Sequence, residues 1–489
     1  MRGPLLHFIG GEWRPSASGE TFPDMNPATG ATIAEVAAGG PADIADAVAA
    51  ASRAFREGPW ATRGGEYRAP FLERIAELML EDQAELARLE TEDTGIPIRQ
   101  TRGQVARAAE NFRFFAARAR QMDGATYPVA GRFLNYSLRH PVGVAGLITP
   151  WSTPLMLETW KVAPCLAAGD PCVLKPAEWS PLTADRLAHL IERAELPPGV
   201  FNVVHGFGES AGASLVAHPD VRLISFTGET ETGRAIMRNG ADTLKRFSME
   251  LGGKSPVVVF RDADLEAALD STLFGMFTLN GERCTAGSRL LVERSVADGF
   301  LPRLLERVAR IRTGDPFDEA TDLGPLIHPD HVARVKGYID IARREGATVA
   351  VGGDSPASEH QNWLRATVLT DVDPAMRVAQ EEIFGPVLAV MTFDTEDEAI
   401  RIANGVSYGL AAYLWTQDVT RAHRVAAAMD VGMVWVNSHN VRDLRTPFGG
   451  AKASGIGREG GEFSFEFYTE WKSVQVALVR PEIPRLGAD

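Results

Sequence analysis

"VGVAGLIT", residues 142–149, is a short apolar run rich in β-forming residues and closed by Pro150. It opens a series in which such runs alternate with helix-patterned stretches of similar length. "CVLK" at 172–175, "VFNVV" at 200–204 and "LISF" at 223–226 continue the series, each bounded by Pro, Gly or Asp. Between the second and third runs lies "SPLTADRLAHLIERAEL", with Ser180 placed to cap a helix and Pro181 at its first turn. Leu187, Leu190, Ile191 and Ala194 form one apolar face of that helix. Strand, helix and strand in repetition predict a parallel sheet covered by helices. A second α/β series starts at "VVVF", 257–260, and reaches "GMVWVN" at 432–437. Upstream, the first 120 residues read as mostly helical, with Ile44, Val48, Ala51 and Phe55 on one face. Residues 123–141 lack helical period and predict a projecting β arm, and the C-terminal stretch from 470 reads as an edge strand suited to pairing with a second subunit.

A chain of 489 residues exceeds what one core usually serves, in keeping with two domains. The formal charge of -14 is diffuse, without a basic stripe to hold nucleic acid. No run approaches the roughly 18 apolar residues of a membrane helix, and the start lacks a secretory pattern, so a cytoplasmic protein without membrane contact is expected. The three cysteines, Cys165, Cys172 and Cys284, form no C-x-x-C pair and no metal cluster, so no metal is expected. Cys165 and Cys172 read as small buried apolar residues.

Cys284 differs because Arg283 precedes it, and positive charge favours the thiolate that makes a cysteine nucleophilic. Thirty-four positions upstream, Glu250 lies in "MELGGKSP", an acid in an apolar run that ends in two glycines. Such a carboxylate either pairs with Lys254 or, desolvated, has a raised pKa suited to general-base work.

Together "FTLNGERCTAGS" and "MELGGKSP" resemble the two active-site signatures of the aldehyde dehydrogenase superfamily. "NPATG", "ITPW", "KPAE", "SFTGETETG", "QEEIFGPV" and "PFGGAKASGIGREGGE" follow in family order along the chain. The resemblance implies a Rossmann-like cofactor domain from 1–122 and 142–252, a catalytic domain over 253–455, and an oligomerisation arm from 123–141 and 470–489. It implies Cys284 as the nucleophile, Glu250 as the base, and Lys161 and Glu462 as supports of proton transfer. Ser152 stands where the superfamily has asparagine as oxyanion donor, and its shorter hydroxyl reaches less far. Loss of such a donor costs roughly 100- to 1000-fold in rate.

Two glycine-rich stretches mislead when read alone. "GFGESAG" at 206–212 has one residue too many for a G-x-G-x-x-G fingerprint, and "GETETGRA" lacks the Lys-Ser/Thr of a P-loop. The resemblance gives them other duties, in a site for NAD made by Ile148, Thr149, Pro150, Trp151, Lys175, Glu178, Gly208, Gly212, Phe226, Thr227, Gly228, Glu229, Leu251, Gly252, Glu382 and Phe384. A carboxylate at Glu178 would accept from the adenine ribose and repel a 2'-phosphate, which favours NAD over NADP. Glu229 reads as an acid at a helix N-terminus.

Further stretches, "LNYSLRHPVGV", "NGERCTAGSR" and "NVRDLRTPFGG", are similar to a branch of the superfamily acting on carboxylate-bearing semialdehydes. Arg107, Arg283, Arg442 and Arg445 are the expected substrate contacts, because a guanidinium fork suits a carboxylate. A neutral aldehyde, 2-hydroxymuconic semialdehyde, or a weakened scaffold with thiol esterase activity are the competing expectations. A homodimer or homotetramer is expected.

Overall fold

The computed structural model describes residues 3–356 and 362–487. The expected domain ends at 1–2 and 488–489, and residues 357–361 of the expected catalytic domain, lie outside the described residues.

The predicted βαβ series forms the centre of an eight-stranded sheet. Its five inner strands, Phe201–Val203, Cys172–Lys175, Val144–Ile148, Val221–Thr227 and Arg246–Glu250, are parallel neighbours in that order. Strand Val144–Ile148 is buried along its whole length, as a parallel strand covered on both faces must be. Helices Pro41–Glu57, Pro154–Ala168, Leu182–Arg193 and Thr230–Gly240 belong to this half. Cys165 and Cys172 are fully buried inside it.

Two local expectations are corrected. Residues 7–37 are not helical but form two short antiparallel hairpins, and His7–Ile9 of the first one extends the main sheet beside Phe201–Val203. Their strands are too short, at three to six residues, for alternation to stand out. Ser180 does not cap its helix. Its hydroxyl has no partner among the described residues, and the Leu182 N–H donates instead to Asp93 Oδ2 at 3.0 Å, a contact made across 89 residues.

The second series builds a seven-stranded sheet, parallel except for its first strand, Thr348–Val351. "VVVF" supplies its centre as Pro256–Val259, and Met433–Val436 is an edge. Gly455–Ile456 then returns the chain to the first sheet beside Arg246–Glu250, and helix Gly461–Tyr468 ties to helix Pro154–Ala168 through the Tyr468 hydroxyl and Lys161 carbonyl.

Residues 125–141 form two antiparallel strands, Ala125–Val129 and Phe133–Pro141, joined by Thr469–Ala477 in a three-stranded sheet. Every residue of Ala125–Val129 is exposed, so the outer strand of this sheet faces solvent. The strand at the C-terminal end stops at Ala477, before Pro481 and Pro484. Among the described residues no helix is long and apolar enough to cross a membrane.

Candidate active site

Cys284 is carried by a loop between a tight turn, Thr278–Gly281, and strand Arg289–Glu293. Leu279, Asn280 and Gly281 are consecutively left-handed, with φ of 53°, 57° and 69°. L-residues avoid this region, so the loop must be held by outside bonds. Asn280, fully buried, donates to the Pro325 carbonyl at 2.9 Å and accepts from the Gly324 N–H at 2.8 Å. A side chain at Gly281 would run into Pro386 N at 2.6 Å, so only glycine fits. The left-handed turn thus fixes where the thiol points.

Glu250 ends the parallel strand Arg246–Glu250 and is 5% exposed. Burial, then the neighbouring Glu459, pushes its carboxyl well above the usual range, opposed by Lys161 and Arg458. Burial and the nearby Glu250 and Glu382 push the Cys284 thiol up to about 12, with Arg283 and the Thr285 N–H pulling it down. The resting cysteine is therefore a thiol, and attack on an electrophile requires a base to take its proton.

Two cavities meet at these groups. One, of about 710 Å³ with its open mouth, is lined by Arg107, Arg283, Arg442, Trp160, Phe448 and Asn440 among others. The other, of about 1020 Å³, is lined by Pro150, Trp151, Thr227, Gly228, Glu229, Leu251, Gly252, Glu382 and Phe384, joined by Trp179, Asp330, His331 and Arg334. Ser152, Thr227, Glu250 and Cys284 line both. The reactive pair thus faces one chamber on either side.

In the larger chamber the Trp151 and Phe384 rings stand edge to face at 5.2 Å. Glu382 accepts from the Gly253 N–H at 2.8 Å, and a side chain at Gly252 would strike its carboxylate. Phe384 has φ 61°, and its carbonyl accepts from His331 Nε2 at 2.6 Å. Burial holds His331 down at about 4, so the neutral ring donates that proton. Glu229 precedes helix Thr230–Gly240, exposed and 3.9 Å from Arg334. The expected Ile148, Thr149, Phe226, Lys175 and Glu178 are not among the lining residues: Ile148 ends strand Val144–Ile148, Phe226 lies near the end of Val221–Thr227, and Lys175 pairs with Glu178 at 3.0 Å. Gly208 and Gly212 bracket one π-helical turn in the loop that follows strand Phe201–Val203.

In the smaller chamber Arg107, Arg283 and Arg442 have no ion-pair partner among the described residues. Arg283 is held by Thr285 Oγ1 at 3.1 Å and Thr278 Oγ1 at 3.3 Å, both neutral acceptors. Burial, then the like charge of Arg107, lowers Arg442 to about 9. Burial, then Arg283, lowers Arg107. Their mutual repulsion favours an anion between them. Glu282 also lines this chamber, and burial raises its carboxyl well above the usual range.

Two further expected residues turn away from the site. Arg445 is exposed and forks onto Asp443 at 2.9 and 2.5 Å, because two residues of separation in an open loop let the pair close locally. Glu462 faces outward, pairing with Arg118 at 2.7 Å and with Arg139. The place expected for it is taken by Glu459, 5% exposed, which accepts from Lys161 Nζ at 2.9 Å. Lys161, fully buried, also donates to Ser225 Oγ at 2.8 Å. Both glutamates belong to "GREGGE", and left-handed Gly460 and Gly461 between them reverse the chain so that one enters the core and the other leaves it. Gln104, Met156, Trp179, Glu282, Arg334 and Asn440 are lining residues that sequence reasoning missed. Gln104, one turn before Arg107, was within reach of helical spacing; the others carry no local signal.

A cysteine and a buried glutamate between an arginine-lined chamber and a long, aromatic-walled one define a covalent-catalysis oxidoreductase site. The chain belongs to the aldehyde dehydrogenase family, whose model matches residues 13–474. It is 52% identical to 5-carboxymethyl-2-hydroxymuconate semialdehyde dehydrogenase of Escherichia coli over 94% of this chain and 98% of that one. HpcC from Thermus thermophilus superposes with a TM-score of 0.97 at 52% identity, covering 99% of this chain and 95% of that one. Betaine aldehyde dehydrogenase from Staphylococcus aureus, in complex with NAD+, gives 0.97 at 38% identity, covering 99% and 97%. The fold is that of the family, and the chain is an oxidoreductase of the aldehyde dehydrogenase type.

Proposed function

We propose that this enzyme oxidises a carboxylate-bearing semialdehyde, of the 5-carboxymethyl-2-hydroxymuconate kind, to the acid with NAD as acceptor. The observation that carries the substrate class is the convergence of Arg107, Arg283 and Arg442, without ion-pair partners among the described residues, on the cavity beside Cys284. The E. coli relative's name points to the same class.

Glu250 takes the thiol proton while Cys284 Sγ bonds the aldehyde carbon, giving a thiohemiacetal. The oxygen that gains charge is met by the Cys284 N–H and the Ser152 hydroxyl, directly or through a water. NAD, when bound, supplies the acceptor that takes the carbonyl carbon to the thioester level. Glu250 passes that first proton to solvent, then accepts a proton from the water that cleaves the thioester and returns it to the departing Cys284 thiolate.

The residues present fit that cofactor. Gly252 leaves room for Glu382 to reach a ribose, Trp151 and Phe384 wall a flat ring, and the N-terminus of helix Thr230–Gly240 suits a pyrophosphate. Glu178, fixed by Lys175, suits an unphosphorylated ribose. The exposed arm, with Tyr127, Leu134, Leu138 and Trp471 on its surface, supports a homodimer or homotetramer, and we place the enzyme in the cytoplasm as part of the same proposal.

Measuring NADH formation with succinate semialdehyde, the muconic semialdehydes and simple aldehydes tests this reading. A higher kcat/KM for the carboxylate-bearing members is expected. Equal values for neutral aldehydes of the same length would refute the substrate class, and ester hydrolysis without any NADH would refute the dehydrogenase.

A further inference from the structure

Arg442 lies in the irregular stretch between strand Met433–Val436 and Gly455–Ile456, where no regular backbone holds it. Its guanidinium is nevertheless gripped on three sides. It stacks 4.1 Å above the Trp160 ring, donates to Met156 Sδ at 3.0 Å, and donates to Asn111 Oδ1 at 3.2 Å. None of these partners is charged, so the grip leaves the cation free to meet an anion.

Asn111 is the least replaceable of the three. It is fully buried on helix Ile98–Ala119 and does not line the cavity itself. Its orientation is fixed, because Thr159 Oγ1 gives its own proton to the Met156 carbonyl at 3.0 Å and must accept from Asn111 Nδ2 at 2.9 Å. The amide oxygen is left facing Arg442. Gln104, Arg107 and Asn111 follow at helical spacing, a polar stripe on a buried helix face that points at the substrate cavity. A stripe of this kind has to be matched by polar partners, and Arg442 is one.

We propose that Asn111 is a specificity-positioning residue: by holding the Arg442 guanidinium with a neutral acceptor, it sets that cation in place for the substrate's carboxylate. The proposal rests on the carboxylate-bearing substrate read above. An acidic residue at 111 would neutralise Arg442, and an apolar one would release it.

Kinetics with succinate semialdehyde and butanal, two four-carbon aldehydes that differ in the carboxylate, test it. In Asn111→Leu the ratio of kcat/KM for succinate semialdehyde over butanal should fall about tenfold, as expected for one charge-assisted hydrogen bond lost. The fall should appear in KM for succinate semialdehyde rather than in kcat. Asn111→Asp, which keeps the side chain's shape and its acceptor, should lower the ratio as well, by pairing with Arg442. Arg442→Met, measured alongside, separates the two claims. A ratio that falls in Arg442→Met but stays at the wild-type value in both Asn111 variants would overturn the role of Asn111 alone. An unchanged ratio in Arg442→Met would overturn the carboxylate reading and this proposal with it.

Discussion

The two chambers that meet at Cys284 differ in charge. The smaller carries Arg107, Arg283 and Arg442 without ion-pair partners among the described residues, while its Glu459 is taken up by Lys161. The larger carries Glu229, Asp330 and Glu382 against Arg334 and is walled by aromatic rings. A cationic chamber selects a carboxylate, and an acidic one accepts sugar hydroxyls. On the proposed function, a carboxylate-bearing substrate would meet the thiol from one chamber and NAD from the other, so that neither blocks the other's place.

The comparison breaks most completely at the shared wall. Cys284→Ala should abolish NADH formation, by more than about 1000-fold, in steady-state assays with any aldehyde. Glu250→Gln should lower kcat about 100- to 1000-fold and leave no burst of NADH in stopped flow, because the buried thiol then has no base to take its proton. On the cationic side alone, replacing both Arg107 and Arg442 with Met should raise KM for succinate semialdehyde about 10- to 100-fold and reverse the preference over butanal. Ser152→Ala should lower kcat about tenfold, and Ser152→Asn should raise it above the wild type, since a longer amide donor reaches the oxyanion directly. Smallest is the effect of Glu459→Gln on the pH profile. Burial and then Glu459 raise the Glu250 carboxyl, so removing the second charge lets Glu250 ionise at lower pH. The acidic limb of kcat should move to lower pH, whereas Glu462→Gln, a change at the surface, should leave that limb in place.

Much of this site was legible because its parts lie in short motifs. Cys284, Glu250, Glu382 and Phe384 each belong to a stretch whose glycines or prolines announce a tight backbone, and such backbones place their side chains locally. Arg445 and Glu462 failed for the opposite reason. Each shares its motif with a residue that does enter the site, Arg442 or Glu459, and three residues of separation in a loop say nothing about which one points inward. The Ser180 cap failed because Asp93, 89 residues away in the chain, reaches the helix end first. The N-terminal hairpins were lost because strands this short carry too few residues to show alternation.

The sequence by itself determined the class of the protein: apolar runs alternating with helical pattern made the parallel sheets, and spaced glycine-rich motifs located the nucleophile and base. Tertiary structure alone decided which charges meet. Arg107, Arg283 and Arg442 come from a helix, a left-handed turn and an irregular loop more than 150 residues apart, and only folding brings their like charges together around the thiol. Periodicity reports which face of a segment is buried. It carries no information about what that face is buried against, and substrate choice depends on the second.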